Sequence, residues 1–187
     1  AAALLTSVVQ TSLRVIAADG EVPPALLAAR MNRFVHQSTA SNGYATFFYA
    51  QFAPGGLHLR YVNAGHNPPY LVRRREQGVE IRELSVGGTV LGLFPDVDYE
   101  DAEVELLPGD LLVAFTDGVR EARNSEGEEF GEEGLKDLLR EAVGSADDVS
   151  AVIAGRVTAW IGSAEQHDDV TFVVARVAGA PALAAPV

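Results

Sequence analysis

The chain has 187 residues, 48% of them hydrophobic, with 26 acidic side chains against 14 basic ones and no cysteine. That length suits one globular domain with a proper core, and the net charge of -12 argues against nucleic acid or any other polyanionic partner while favouring divalent cations. Disulfides, thiolate metal sites and a cysteine nucleophile are excluded outright, and a cytoplasmic location is the natural expectation.

Residues 1–20 are apolar but carry no basic leader, and Thr6, Ser7, Gln10 and Arg14 interrupt them. They read as neither a signal peptide nor a membrane span. Leu5, Val9, Leu13 and Ile16 share a helical face, so a helix is expected there, with Asp19-Gly20 as its stop. A chain that begins inside such a helix looks cut from something longer.

A second helix is expected after Pro23-Pro24, with Leu27, Met31, Phe34 and Val35 at helical spacing. The period then changes. Residues 44–52 form an apolar run of strand type, Pro54-Gly55-Gly56 turns the chain, and Leu57, Leu59 and Tyr61 alternate with His58, Arg60 and Val62. This predicts a hairpin. Residues 70–72 and 80–84 predict a second strand pair around a basic loop at 73–78.

Residues 85–97 are glycine-rich and irregular, and Gly87, Gly88 and Gly92 suggest a mobile connection or a substrate lid. Ala102, Val104 and Leu106 alternate with Asp101, Glu103 and Glu105, predicting a strand with one wet face. Pro108-Gly109 leads into an apolar strand at 110–115.

Two helices should follow. One carries Leu135, Leu138, Leu139, Ala142 and Val143 as its apolar stripe, and the other carries Val149, Val152, Ile153, Val157 and Trp160 behind a capping segment at 145–148. Residues 170–177 close the domain as a strand, and residues 178–187 read as an Ala/Pro linker-like tail. Helices, then hairpin-linked strands, then helices and a strand indicate an α+β layered fold.

The path strand, helix, helix, strand carries a geometric consequence. If the two helices form an antiparallel pair, the flanking strands run antiparallel, and the end of 110–115 lies beside the start of 170–177. Asp117 stands just past that end, and Asp168 and Asp169 stand just before that start. An Asp-Gly after a strand is usually a turn, and an Asp-Asp before one is usually a solvated boundary. Their convergence is what points to a metal. Close carboxylates repel unless they share a proton or a cation. Acids with water at hand and no sulfur suit Mg²⁺ or Mn²⁺. A pair of such ions about 4 Å apart can activate water and stabilise displacement at phosphorus.

The ordered motifs add a resemblance. Asn63-Ala64-Gly65-His66-Asn67-Pro68-Pro69 is followed by Gly88, Leu91-Gly92 and Leu107-Pro108-Gly109-Asp110. Then come Thr116-Asp117-Gly118-Val119, Glu121-Ala122-Arg123, Phe130-Gly131 and Asp168-Asp169-Val170-Thr171. This set resembles the bacterial PPM-type serine/threonine phosphatases of the sporulation stage II protein E and sigma-B regulator class, from the first residues to about Val177.

The resemblance implies a β-sandwich flanked by helices in α-β-β-α layers, with a two-metal Mn²⁺ or Mg²⁺ centre. It also implies hydrolysis of phosphoserine or phosphothreonine by metal-bound water without a phosphoenzyme. Asp117 and Asp168 match the family's metal ligands. Asp169 resembles a supporting residue at the strand start and ranks below them. Family members carry a further bridging aspartate, in a Gly-Asp and Asp-x-Ser-Gly-x-Gly pattern, just before a helix that begins as this chain does. The expected organisation is therefore a phosphatase domain over 1–177 lacking its first metal-binding segment, with the tail at 178–187.

Other residues carry plainer expectations. His66 reads as a structural turn histidine and Asn63 as a backbone-bonding one. His167 could shuttle protons or simply sit in an exposed loop. His36 and His58 read as surface positions. Arg73 to Arg75 read as a charged hairpin tip. Glu126, Glu128, Glu129, Glu132 and Glu133 read as a solvated turn and the acidic first turn of a helix.

The expected function is a metal-dependent phosphatase acting on a phosphorylated anti-sigma-factor antagonist, with a sensor or regulatory domain upstream in the same polypeptide. Competing readings are a partner-binding module of the same fold with an incomplete metal site, and an acid-cluster nuclease, which the charge disfavours.

Overall fold

The computed structural model describes residues 2–18, 20–39, 43–166 and 168–178. Two compact units emerge, Ala1–Pro68 with Leu84–Leu106, and Pro69–Glu83 with Leu107–Val187. No helix among the described residues is long and apolar enough to cross a membrane.

In the first unit, helices α1 (Ala2–Ala18) and α2 (Pro24–Ser38) join a sheet built on β2 (His58–Ala64). β2 pairs antiparallel with β1 (Phe47–Phe52) and with β6 (Ala102–Glu105), and parallel with the two-residue β5 (Gly87–Gly88). Leu27, Met31 and Val35 of α2 pack with Val62 and Ala64 into one core cluster, joined by Ile16 of α1. Two expected core positions fall outside it. Phe34, one step round the helix from Val35, is exposed, and Leu57 is exposed in the turn ahead of β2.

The glycine-rich segment is tied down rather than loose. Gly92 N–H donates to Asn32 Oδ1 at 2.8 Å, Asn32 Nδ2 donates to the Phe94 carbonyl at 3.0 Å, and His36 Nδ1 lies 2.8 Å from the Gly92 carbonyl. His36 is thus a bonded, half-buried residue. Gly87 has no alternative: a Cβ there would stand 1.8 Å from the Asn63 carbonyl oxygen. Asn63 behaves as expected, donating to the Leu84 carbonyl and accepting from His66 N–H. Gly65, at φ +67°, makes the turn that seats His66.

The second unit holds a sheet in the order β4 (Gly78–Glu83), β3 (Tyr70–Arg75), β7 (Leu111–Phe115), β8 (Phe172–Arg176), antiparallel throughout. The supposed basic loop at 73–78 is mostly strand, reduced to a turn at Glu76-Gln77. Its arginines each have a structural task. Arg73 forks onto Asp110, Arg74 donates to carbonyls at the end of a helix, and Arg75 pairs with Glu80.

Three helices follow β7 rather than two: α3 (Asp117–Arg120), α4 (Gly131–Glu141) and α5 (Ala146–Ile161). α5 opens with a capping box between Ser145 and Asp148. Leu135, Leu138, Leu139, Val149, Ile153 and Val157 pack on Val113 and Phe115 as the core. Val152 and Val143 of the expected stripes face solvent instead. The tail at 179–187 and His167 lie outside the described residues.

Candidate metal centre

The first residue of β8 stands opposite the last of β7, in the register Phe115 to Phe172. The antiparallel crossing expected from the helix pair is therefore present. Thr116 extends the pairing, with its N–H donating to the Thr171 carbonyl at 2.9 Å. Its hydroxyl, 3.1 Å from the Asp169 carbonyl oxygen and 3.2 Å from that of Thr171, accepts from Thr171 N–H at 3.2 Å. One side chain thus stitches the 116–118 segment to 169–171.

Gly118 completes the join. A Cβ at this position would lie 2.4 Å from the Asp169 carbonyl oxygen, so only glycine lets the first turn of α3 lie against that backbone. Asp117 opens α3, is exposed, and accepts from Gly118 N–H through Oδ1 at 3.0 Å. Asp168, also exposed, accepts from Asp169 N–H through Oδ1 at 2.7 Å, and its carbonyl is held by Gln166 Nε2 at 2.8 Å. Each aspartate accepts a neighbouring backbone N–H through Oδ1, and both residues are exposed. Asp169 is exposed and contributes its carbonyl to the stitch.

Beside this edge lies a cleft of about 290 Å³, lined by Gly118, Glu121, Ala122, Arg123, Ile161, Glu165, Gln166, Asp168 and Val170. Among the described residues, no three His, Asp or Glu side chains come together to hold an ion. Asp117 and Asp168 supply hard oxygens with water access, which fits part of the donor set of Mg²⁺ or Mn²⁺.

Sequence reasoning named the acids but not what positions them. Thr116 and Gly118 were visible only as neighbours of Asp117, and their contacts lie more than fifty positions away. Glu121 and Arg123 stood in a motif with no role attached.

Solved structures with this fold define the class. The SiaA-PP2C domain of Pseudomonas aeruginosa matches with a TM-score of 0.76 at 23% identity, over 93% of this chain and 69% of that one. The RsbU and RsbW domains of Rv1364c from Mycobacterium tuberculosis match with 0.71 at 25% identity, over 96% and 50%. The catalytic domain of the serine threonine protein phosphatase PstP, in complex with 2 manganese ions, matches with 0.62 at 19% identity, over 94% and 81%. The fold is the α+β PP2C type expected from the sequence.

The family model for Stage II sporulation protein E (SpoIIE) matches residues 1–178, and the chain belongs to that family. Phosphoserine phosphatase RsbU of Bacillus subtilis (strain 168) is 29% identical over 177 residues, which is 94% of this chain and 51% of RsbU. Protein IcfG of Synechocystis sp. is 28% identical over 130 residues, 70% of this chain and 20% of IcfG. The chain thus spans about half the length of one curated relative and a fifth of the other.

Proposed function

We propose that the chain is a phosphatase domain, over residues 1–177, of a divalent-metal-dependent protein serine/threonine phosphatase acting in the cytoplasm. The carrying observation is the β7–β8 register, which sets Thr116-Asp117-Gly118 against 169–171 at one sheet edge. Membership of the SpoIIE family and likeness to a phosphoserine phosphatase support the reaction.

Asp117 and Asp168 would hold the ion, Mn²⁺ or Mg²⁺, with further ligands from outside the described set. Bound there, it supplies Lewis-acid activation for phosphoester hydrolysis. The chain's own contribution is positional: the Thr116 stitch and the Gly118 contact keep the two acids at a fixed spacing without rearrangement. By resemblance to the class, the substrate is a phosphorylated anti-sigma-factor antagonist, and an upstream sensor domain belongs to the same polypeptide.

Titrating Mn²⁺ into the chain by calorimetry, alongside release of phosphate from a phosphoserine peptide, tests this. Saturable heat with metal-dependent turnover is the expected result. The lack of a three-acid cluster among the described residues favours one rival, a partner-binding module of the same fold. Neither heat nor turnover would establish that rival instead.

A further inference from the structure

The cleft beside Asp168 has a charge problem. A phosphoserine carries close to two negative charges near neutral pH, yet Glu121, Glu165 and Asp168 all stand in the walls, and the chain as a whole is at -12. Arg123 is the sole cation among the residues that line the cleft. Its Nη2 donates to Glu129 Oε1 at 2.8 Å, which aims the guanidinium while leaving its other N–H groups open, and the side chain is 51% exposed.

The loop that carries Arg123 does not depend on that ion pair. Asn124 Oδ1 accepts from the N–H groups of Glu126 and Glu128, and Phe130 N–H donates to the Ala122 carbonyl. Trp160 Nε1 donates to the Ala122 and Glu128 carbonyls, at 3.1 and 3.3 Å, and so pins both arms of the loop. An exposed ion pair adds about 0–1 kcal/mol at most. Arg123 thus stands on a loop whose backbone is fixed by other contacts, and its side chain is not needed to hold that loop together.

We propose that Arg123 binds the phosphoryl group of the substrate, its planar fork taking phosphate oxygens in the cleft that Asp168 also lines. This rests on the phosphatase reading above. The chemistry favours arginine for the task, because its donors match phosphate oxygens pairwise and its charge does not titrate. Once phosphate arrives, Glu129 serves as the brace that keeps the fork oriented.

The test uses Arg123→Ala and Arg123→Lys in the full chain with Mn²⁺, with a phosphoserine peptide as substrate and inorganic phosphate as competing product. Arg123→Ala is expected to raise both KM and the phosphate inhibition constant about tenfold, the loss typical of one charged hydrogen bond. Manganese affinity and Tm should not move, and Arg123→Lys should recover part of the loss. A raised KM with an unchanged phosphate constant would mean that Arg123 touches the peptide flank, and the proposal falls. Unchanged values for both, or a Tm lowered by several degrees, would leave it only its partnership with Glu129. Direct calorimetric titration of phosphate separates the two levels of argument. A wild-type chain that binds phosphate through Arg123 but never hydrolyses the peptide sinks the phosphatase reading alone.

Discussion

Strand β7 has an aspartate at each end, and the two are opposite in kind. Asp110, just ahead of Leu111, is 2% exposed. Its carboxylate receives Arg73 Nε at 3.0 Å and Nη2 at 2.6 Å, together with Leu107 N–H at 2.8 Å. Asp117, just past Phe115, is exposed and, among the described residues, receives only its neighbour's N–H. Both acids flank the same strand, yet one is buried and paired and the other exposed. Partners and burial, rather than sequence setting, separate the two carboxylates: the charge of Asp110 is matched by the Arg73 guanidinium away from water, and Asp117 is exposed with its Oδ1 on a backbone N–H.

Substitution at the two ends should therefore fail in different ways. Asp110→Ala removes the carboxylate from a largely buried ion pair with Arg73, and removing one member of a buried pair costs about 3–5 kcal/mol. Urea denaturation should show that loss directly. Asp117→Asn should lower turnover on the order of a hundredfold, the scale of removing one electrostatic group from a reacting site, with the denaturation midpoint unchanged. If Asp117→Asn unfolds the protein, or Asp110→Ala leaves the midpoint alone, the contrast between the two ends is wrong.

Gly118→Ala sharpens the same contrast, because it strikes the open end through packing and not charge. The added methyl meets the Asp169 carbonyl oxygen at 2.4 Å, a backbone atom that cannot swing aside. Overpacking of this sort costs about 1–3 kcal/mol. Prising the first turn of α3 from 169–171 should also weaken manganese binding, read by calorimetry. Stability lost with metal affinity intact would show that the join is not what spaces Asp117 and Asp168.

The meeting of the two strand ends at this edge was legible from the sequence because it follows from connectivity: an antiparallel helix pair, α4 and α5, returns the chain, even though the short α3 ahead of it was not foreseen. What the acids touch was not legible. Three consecutive arginines look like a hairpin tip, and nothing local reveals that the first lies against an aspartate 37 positions on. The single-turn α3 has too few residues to show a period. Phe34 and Val152 were miscounted as core because each adjoins a buried position, Val35 and Ile153, on a helix whose apolar stripe is narrower than its apolar letters. The glycines at 87 and 92 read as freedom, whereas they mark close approach of backbone to backbone and side chain. Thr116 carried no signal of its own, since a hydroxyl that bonds across strands looks like any other threonine.

The smallest effect concerns the buried side of the same sheet. Tyr70, 2% exposed on β3, lies with its ring 5.0 Å from Phe115, and Lys136 Nζ stands 5.5 Å from its centre. Burial pushes its phenol up to about 12, with the Glu132 carboxylate adding to the rise and the Lys136 ammonium opposing it. The unfolded chain gives up that proton near pH 10, while the folded chain keeps it to about 12. The contribution is therefore complete below pH 10 and disappears as pH climbs through 12. Hydrogen bonds to Glu132 and Glu83 raise the pKa of Lys136 as well. Tyr99 of the other unit is pushed to about 12 by its burial as well, so Tyr70→Phe should flatten the alkaline slope of stability only in part, and Tyr70→Phe with Tyr99→Phe should flatten it further. Denaturation midpoints between pH 9 and 12 read this. An unchanged slope in the double variant would mean that the ring beside Phe115 admits water, and the sealed side of β7 would then differ less from its open end than the contacts around Asp110 indicate.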